Sequence, residues 1–338
     1  MSKIRTGLMS FGLSGQVFHA PLIEKNENFE LSVILERSKR KSEQEYPKVK
    51  IVTSLADFFQ EELDLIIVNG PSALHYDWAK KAIQHCKAVV VEKPFVATTS
   101  QGKELVCLAK KRKVALSVYH NKRFEGNIRT VKKLLDSGKY GRVKRLVLRA
   151  MRYRPALGLK QWKEKPQPAA GLLYDIGSHL IDQSLWLFGR PESLRAQLKK
   201  QRVGSQVDDY FNVIFQYCGF EVELEAGFLQ KENLPVIELY THSGVYKKYD
   251  PDPQEAQLAQ RPINWEILGH TSQHKDGKWS FATGNTASVP TALGDYGEFY
   301  KSLSGFIKGE GDNPVKPEEA LEVIEWIEKI KQIAGVSI

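Results

Sequence analysis

The sequence predicts an α/β chain: a doubly wound parallel sheet, followed by an α+β domain built on a large, mostly antiparallel open sheet. Three observations predict it. Short continuous apolar runs alternate with amphipathic stretches through the first 121 residues. A glycine-bearing turn, Ser10-Phe11-Gly12-Leu13-Ser14-Gly15, joins the first run to the first helix. After Asn121 strands dominate, joined by glycine turns. Continuous apolar strands belong to a parallel sheet covered on both faces, and their regular alternation with helices is a βα repeat.

In order, the apolar runs at 4–8, 31–35, 50–52, 64–68, 88–91 and 115–118 are expected strands. The stretches 15–23, 39–46, 55–61, 75–84 and 100–112 are expected helices between them. A helix over 125–137 then stops at Gly138, and a strand follows at 143–149. A loop rich in Pro and Gly leads to a helix over 178–187. Strands at 209–217 and 220–228 flank Cys218-Gly219, and strands at 236–241 and 245–249 flank Ser243-Gly244, which are two plausible hairpins. Helices at 295–307 and 318–334 close the chain. The expected division is a dinucleotide-binding domain over 1–121 and a substrate and dimerisation domain over 122–338.

Composition narrows the function. The 338 residues are 42% hydrophobic and 26% charged, an ordinary globular balance. No apolar run approaches the roughly 18–20 residues of a membrane helix. The start, Met1-Ser2-Lys3-Ile4-Arg5, lacks the apolar core of a secretory signal, so a cytoplasmic location is expected. Cys86, Cys107 and Cys218 are scattered, and neither a disulfide framework nor a metal site is expected from them. The net charge of +9 suits an anionic ligand such as a dinucleotide. The basic residues lie in short clusters beside acids and lack interleaved aromatics, so nucleic acid is not expected as a partner.

The turn at residues 10–15 has the GxGxxG pattern with Ser10 in place of the first glycine. In a Rossmann fold these glycines let the backbone turn tightly, approach a pyrophosphate and pack helix on strand. The helix start then offers N–H groups to phosphate. About 20 residues on, where the adenosine ribose is read, stand Glu36, Arg37, Ser38 and Lys39. A carboxylate there accepts from ribose hydroxyls and favours NAD, whereas Arg37, Ser38 and Lys39 suit the 2′-phosphate of NADP. The balance tips slightly to NADP.

Two segments carry chemistry. Glu92-Lys93-Pro94 ends a parallel strand, where a lysine would point toward ligand. Asp175 and His179, four apart in Gly171-Leu172-Leu173-Tyr174-Asp175-Ile176-Gly177-Ser178-His179, share one helical face. A carboxylate beside an imidazole suits a general base, although a helix-start Asp with a packed His is also a common structural pairing. Arg123, Tyr153, Trp162 and Tyr296 are candidate substrate contacts, since sugar faces stack on rings and hydroxyls need polar partners. Asp182, about one turn beyond His179, is a candidate support or substrate group.

Together these segments resemble the Gfo/Idh/MocA family of oxidoreductases, over nearly the whole chain. The markers are the glycine turn running into Val17-Phe18-His19-Ala20-Pro21, then Asn69-Gly70-Pro71 with His75, Glu92-Lys93-Pro94 and Asn121-Lys122-Arg123-Phe124. The segment from Asp175 to Asp182 and the tail Pro314-Val315-Lys316-Pro317-Glu318-Glu319-Ala320 complete the set. Phe18-His19-Ala20-Pro21 and Tyr153-Arg154-Pro155 are most similar to the branch containing NADP-dependent scyllo-inositol dehydrogenases, from whose NADP pattern Glu36 departs.

The resemblance implies a nicotinamide-dependent dehydrogenase acting on a secondary alcohol of a sugar or cyclic polyol. It implies nucleotide contacts at Phe11, Gly12, Leu13, Ser14, Gly15, Glu36, Arg37, Ser38, Asn69, Pro71, His75, Glu92, Lys93 and Asn121. Lys93, Asp175 and His179 would be the catalytic set: a cation for alkoxide charge, an orienting carboxylate and a base titrating near pH 6.5. It further implies a homodimer or homotetramer paired through the open sheet. A nucleotide-binding regulator and an NAD-dependent glycosidase of the same architecture remain open alternatives.

Overall fold

The computed structural model describes residues 2–38, 41–158 and 164–336. The first sheet contains β1 (Ile4–Leu8), β2 (Phe29–Leu35), β3 (Lys50–Val52), β4 (Leu65–Val68), β5 (Ala88–Glu92) and β6 (Ala115–Tyr119). Its order is β3-β2-β1-β4-β5-β6, and every neighbouring pair is parallel. All residues of β4 and β5 are buried, as the apolar runs at 65–68 and 88–91 require when both faces are covered. Around it run α1 (Ala20–Lys25), α2 (Ser42–Glu45), α3 (Leu55–Phe59), α4 (His75–His85) and α5 (Thr99–Arg112). Ser54 and Thr98 start α3 and α5 by accepting from the N–H groups of Asp57 and Gln101, two orphan donors at a helix start. The strand order reverses between β1 and β4, which opens a crevice at their carboxyl ends.

Beyond β6 lie α6 (Gly126–Asp136), β7 (Val143–Met151), α7 (Ser178–Phe188), β8 (Ser193–Lys199), β9 (Tyr210–Tyr217), β10 (Phe220–Gly227), β11 (Ile237–Thr241) and β12 (Gly244–Lys248). They are followed by α8 (Gln254–Ala259), β13 (Gly277–Phe281), β14 (Thr286–Val289), α9 (Gly297–Lys308) and α10 (Pro317–Ile333). Among the described residues the second sheet has the order β14-β13-β12-β11-β7-β10-β9-β8. Its pairs are antiparallel except β7 with β10. Alternation in β7 and β10 gives it two unlike faces. Leu146, Leu148, Val222 and Leu224 are buried on one. On the other, Arg145 pairs with Glu223, and Arg149 with Glu225 and Glu238. β8, β13, β14 and α8 were not expected from the sequence.

The single cut at Asn121 is replaced by a more interleaved division. One compact unit takes Met1–Asn121 together with Glu255–Trp265 and Tyr296–Ile324, and the other takes the remaining segments. The chain thus returns to its first unit twice. Tyr300 packs edge-on against Phe29 with ring centroids 5.7 Å apart. The Ser117 hydroxyl and the Asn313 amide exchange bonds with backbone of the partner segment, to Val315 O at 3.0 Å and Leu116 O at 2.7 Å.

Candidate active site

The turn after β1 is tied down by short-range bonds. The Ser10 hydroxyl accepts from Gly12 N at 3.2 Å, so the residue replacing the first motif glycine braces the turn with its own side chain. Asn69, just past β4, donates from Nδ2 to Ser10 O at 2.8 Å, and Ser14 Oγ donates to Asn69 O at 3.4 Å. A Cβ on Gly15 would stand 2.5 Å from Ser10 O and 3.1 Å from Asn69 Nδ2, so only glycine fits there. Asn69 Oδ1 is buried and makes no hydrogen bond among the described residues. A bare, tight turn at a sheet's switch point fits the diphosphate of a dinucleotide, which needs close backbone approach. Phe11 is buried edge-on against Tyr46, while Leu13 is exposed. The helix that follows opens as a π turn, Gly15–His19, before becoming α1.

Past β2 the structure shows what holds the Glu36 side chain. Its side chain is only 8% exposed. One carboxylate oxygen accepts from Lys41 N at 2.9 Å, and the other from Ser42 N at 3.1 Å and Ser42 Oγ at 2.7 Å. Burial pushes its pKa up, but the bonds from Ser42 and Lys41 outweigh burial and hold it below the usual value. Glu36 therefore fastens the start of α2. Arg37 and Ser38 are exposed, and the Arg37 guanidinium lies 5.8 Å from the centre of the buried Trp78 ring. Lys39 lies outside the described residues.

At the end of β5 the Lys93-Pro94 peptide is cis and Lys93 is half-buried. Glu92 and His75, expected to touch nucleotide, have partners within the chain. Glu92 Oε2 accepts from Lys93 N at 2.9 Å, and Oε1 lies 2.9 Å from His19 Nε2. His19 Nδ1 is 2.5 Å from Tyr300 Oη. The His75 ring spans two carbonyls, Pro94 O at 2.8 Å from Nδ1 and Gly70 O at 3.1 Å from Nε2. Burial lowers the His75 pKa. Burial would raise that of Glu92, but the bond and charge of His19 and the charge of Lys93 bring it below normal. Pro71 is exposed before a short helical turn at Ser72–Leu74, and Asn121 is buried at the first position of another, Asn121–Phe124.

The second unit carries the other candidates. Gly171, at φ +96°, sits where a Cβ would stand 2.0 Å from Asp208 Oδ1. Asp208 Oδ2 accepts from Leu173 N at 2.7 Å, which anchors the start of a π turn, Leu173–Gly177. Asp175 is in that turn and half-buried; His179, in the first turn of α7, is buried. The expected regular helix is thus a wider turn, a form common at functional sites. Arg123 grips Asp182 in a buried fork, Nε to Oδ2 at 2.9 Å and Nη2 to Oδ1 at 2.7 Å. This edge of Arg123, expected to meet substrate, instead braces α7 three residues beyond His179. Tyr153 is 49% exposed beside Lys231 and is free to meet a ligand face. Tyr296 is 1% exposed and packs edge-on with Phe18 at 6.0 Å, so its ring is closed to a sugar. Trp162 lies outside the described residues.

His19, Tyr300 and Asp208 were missed as site residues. His19 stands in the Phe18-His19-Ala20-Pro21 marker and so left a signal. Tyr300, 281 residues away from it, left none. Among the described residues no three His, Cys, Asp or Glu side chains converge to hold a metal ion, and no helix is long and apolar enough to cross a membrane.

Comparison with known proteins identifies the family. A family model described as an oxidoreductase family with an NAD-binding Rossmann fold matches residues 4–120, and the GFO/IDH/MocA C-terminal domain matches residues 128–247. The chain is 33% identical to the scyllo-inositol 2-dehydrogenase (NADP(+)) IolW of Bacillus subtilis, over 97% of this chain and 93% of that protein. It is 35% identical to the oxidoreductase YdgJ of Escherichia coli, over 96% and 95%. Among solved structures, the oxidoreductase YvaA of Bacillus subtilis superposes with a TM-score of 0.93 at 32% identity, covering 99% of this chain and 97% of that one. An oxidoreductase of Bacteroides fragilis superposes at 0.89 with 38% identity, covering 99% and 98%. With both halves matched and its switch-point turn intact, the chain belongs to the Gfo/Idh/MocA family of NAD(P)-binding oxidoreductases.

Proposed function

We propose that the protein is an NADP-dependent dehydrogenase that oxidises a secondary alcohol of a cyclic polyol or sugar, or runs the reverse reduction. The observation that carries this reading is Lys93 at the carboxyl end of β5, on the sheet edge that also bears the glycine turn. An ammonium there can offset charge on a reacting oxygen, a task that a dehydrogenase has and a regulator that only binds nucleotide lacks. Similarity to the inositol dehydrogenase IolW supports the substrate class.

The nicotinamide, when bound, supplies the hydride chemistry. The chain's own task is the charge and the proton. Lys93 holds the substrate oxygen and offsets its developing negative charge. His179 takes the hydroxyl proton, and Asp175 orients the substrate or the ring. Arg37 and Ser38 receive the 2′-phosphate. Glu36 would repel that group, but its carboxylate is committed to Lys41 and Ser42.

Fluorescence titration with NADPH and NADH, followed by an absorbance assay over inositols and sugars, tests both parts. NADPH is expected to bind at least about tenfold more tightly, the worth of one charged hydrogen bond. Tighter NADH binding overturns the cofactor assignment. Nucleotide binding with no turnover on any polyol turns the reading toward a regulator.

A further inference from the structure

Lys93 is flanked in the chain by two groups, each held by a buried histidine. On one side is Glu92, whose Oε1 meets His19 Nε2 at 2.9 Å. On the other is Pro94, whose carbonyl meets His75 Nδ1 at 2.8 Å. His19 is 0% exposed and His75 is 1% exposed. Neither faces solvent, so each ring is paired with the chain alone.

The proton positions follow from the partners. A carboxylate only accepts, so His19 Nε2 carries a proton toward Glu92. Tyr300 is fully buried beside His19, and burial raises its pKa well above the usual value. It remains a phenol, and in the tautomer with the ring proton on Nε2 its hydroxyl donates a hydrogen bond to His19 Nδ1. One directed series results: Tyr300 to His19, His19 to Glu92 Oε1, and Lys93 N–H to Glu92 Oε2. Tyr119 lies against the His19 ring with centroids 4.6 Å apart, which fixes its plane. On the far side a neutral His75 has one N–H, and the shorter contact to Pro94 takes it. In that tautomer Nε2 carries no proton, and its 3.1 Å approach to Gly70 O is a contact without a hydrogen bond.

We propose, resting on the role given to Lys93 above, that His19 and His75 are positioning residues that clamp the backbone on both sides of Lys93 and so fix the point from which its ammonium acts. Neither touches the reacting atoms. The carboxylate of Glu92 serves as the link on one side and the Pro94 carbonyl on the other. Such fixing matters because a displacement of about 1 Å in a catalytic group can cost about a hundredfold in rate.

Substitutions that keep or lose one donor test the clamp. The amide nitrogen of glutamine reaches where Nε2 of histidine sits, and that of asparagine reaches where Nδ1 sits. His19→Gln therefore keeps the donor to Glu92, and His19→Asn loses it. His75→Asn keeps the donor to Pro94, and His75→Leu loses it. His19→Asn and His75→Leu are expected to lower kcat at least about tenfold, with KM for the polyol and Kd for NADPH changed by less than about threefold. The matching His19→Gln and His75→Asn variants should recover most of the rate. Equal rates in His19→Gln and His19→Asn, or losses confined to KM, overturn the clamp.

Nitrogen NMR of the histidine-labelled, ligand-free protein gives a second readout. Nε2–H at His19 and Nδ1–H at His75 are expected. His19 carrying its only proton on Nδ1, or His75 carrying its only proton on Nε2, overturns the inference whether or not polyols are oxidised. A wild-type protein that binds NADPH and turns over no polyol defeats the functional reading alone, and the tautomers still decide the clamp.

Discussion

Replacing Lys93 by Ala should cut turnover at least about a hundredfold, as expected when a positioned charge is lost from a site that develops negative charge. NADPH fluorescence should still report binding, and near-normal turnover would remove Lys93 from the chemistry. Glu36 is expected to behave differently. Glu36→Gln should leave the NADPH-to-NADH preference unchanged and lower stability by about 1–2 kcal/mol, the usual worth of a helix-start acceptor. A shifted cofactor preference in that variant would return Glu36 to the ribose. At this scale the sequence was a partial guide. Lys93, Asp175 and His179 could be singled out as candidates because they stand in short motifs. The partners of Glu92, His75 and Arg123 were not. A side chain's direction is set by what surrounds it, and their partners come from elsewhere in the chain, as Asp182 does for Arg123, 59 residues on.

Elements were legible where one physical signal dominated. β4 and the first four residues of β5 are unbroken apolar runs, and the alternating glutamates of β10 mark a strand with two unlike faces. β8 and β14 escaped because edge strands have fewer buried positions; β14 is mostly exposed. The π turns at Gly15–His19 and Leu173–Gly177 could not be foreseen, since residue periodicity does not record which carbonyl an N–H chooses. The glycine turn yields a prediction of its own. Gly15→Ala places a methyl group 2.5 Å from the Ser10 carbonyl, where only backbone can yield. Nucleotide affinity should fall at least about tenfold, the equivalent of about 1.4 kcal/mol, as measured by NADPH titration. Unaltered affinity would show that the turn does not bear on the diphosphate.

For the whole molecule, the two-unit plan was legible, but its interleaving was not, because local patterns carry no record of which distant segment packs beside them. Stability against pH is also a property at this scale. His75 has a lowered pKa in the folded chain, so its contribution is present above its ordinary value of 6.5 and is lost as pH falls through the lower folded value. Glu36 and Glu92 are also lowered, and their contributions fade further into acid, below 4.5. Asp208 and Asp252, raised by burial, act in the opposite sense. The melting temperature of His75→Asn should therefore vary less than that of the wild type as pH falls below 6.5; parallel profiles would show that His75 is not the titrating group. The return of the chain also bears on biosynthesis. Phe29, Leu116 and Tyr119 are synthesised well before Tyr300, Asn313 and Phe299, the residues that pack on them. Until then a nascent chain displays a half-covered apolar surface, a natural client for a chaperone, and a premature stop before Tyr296 would strand it in that state.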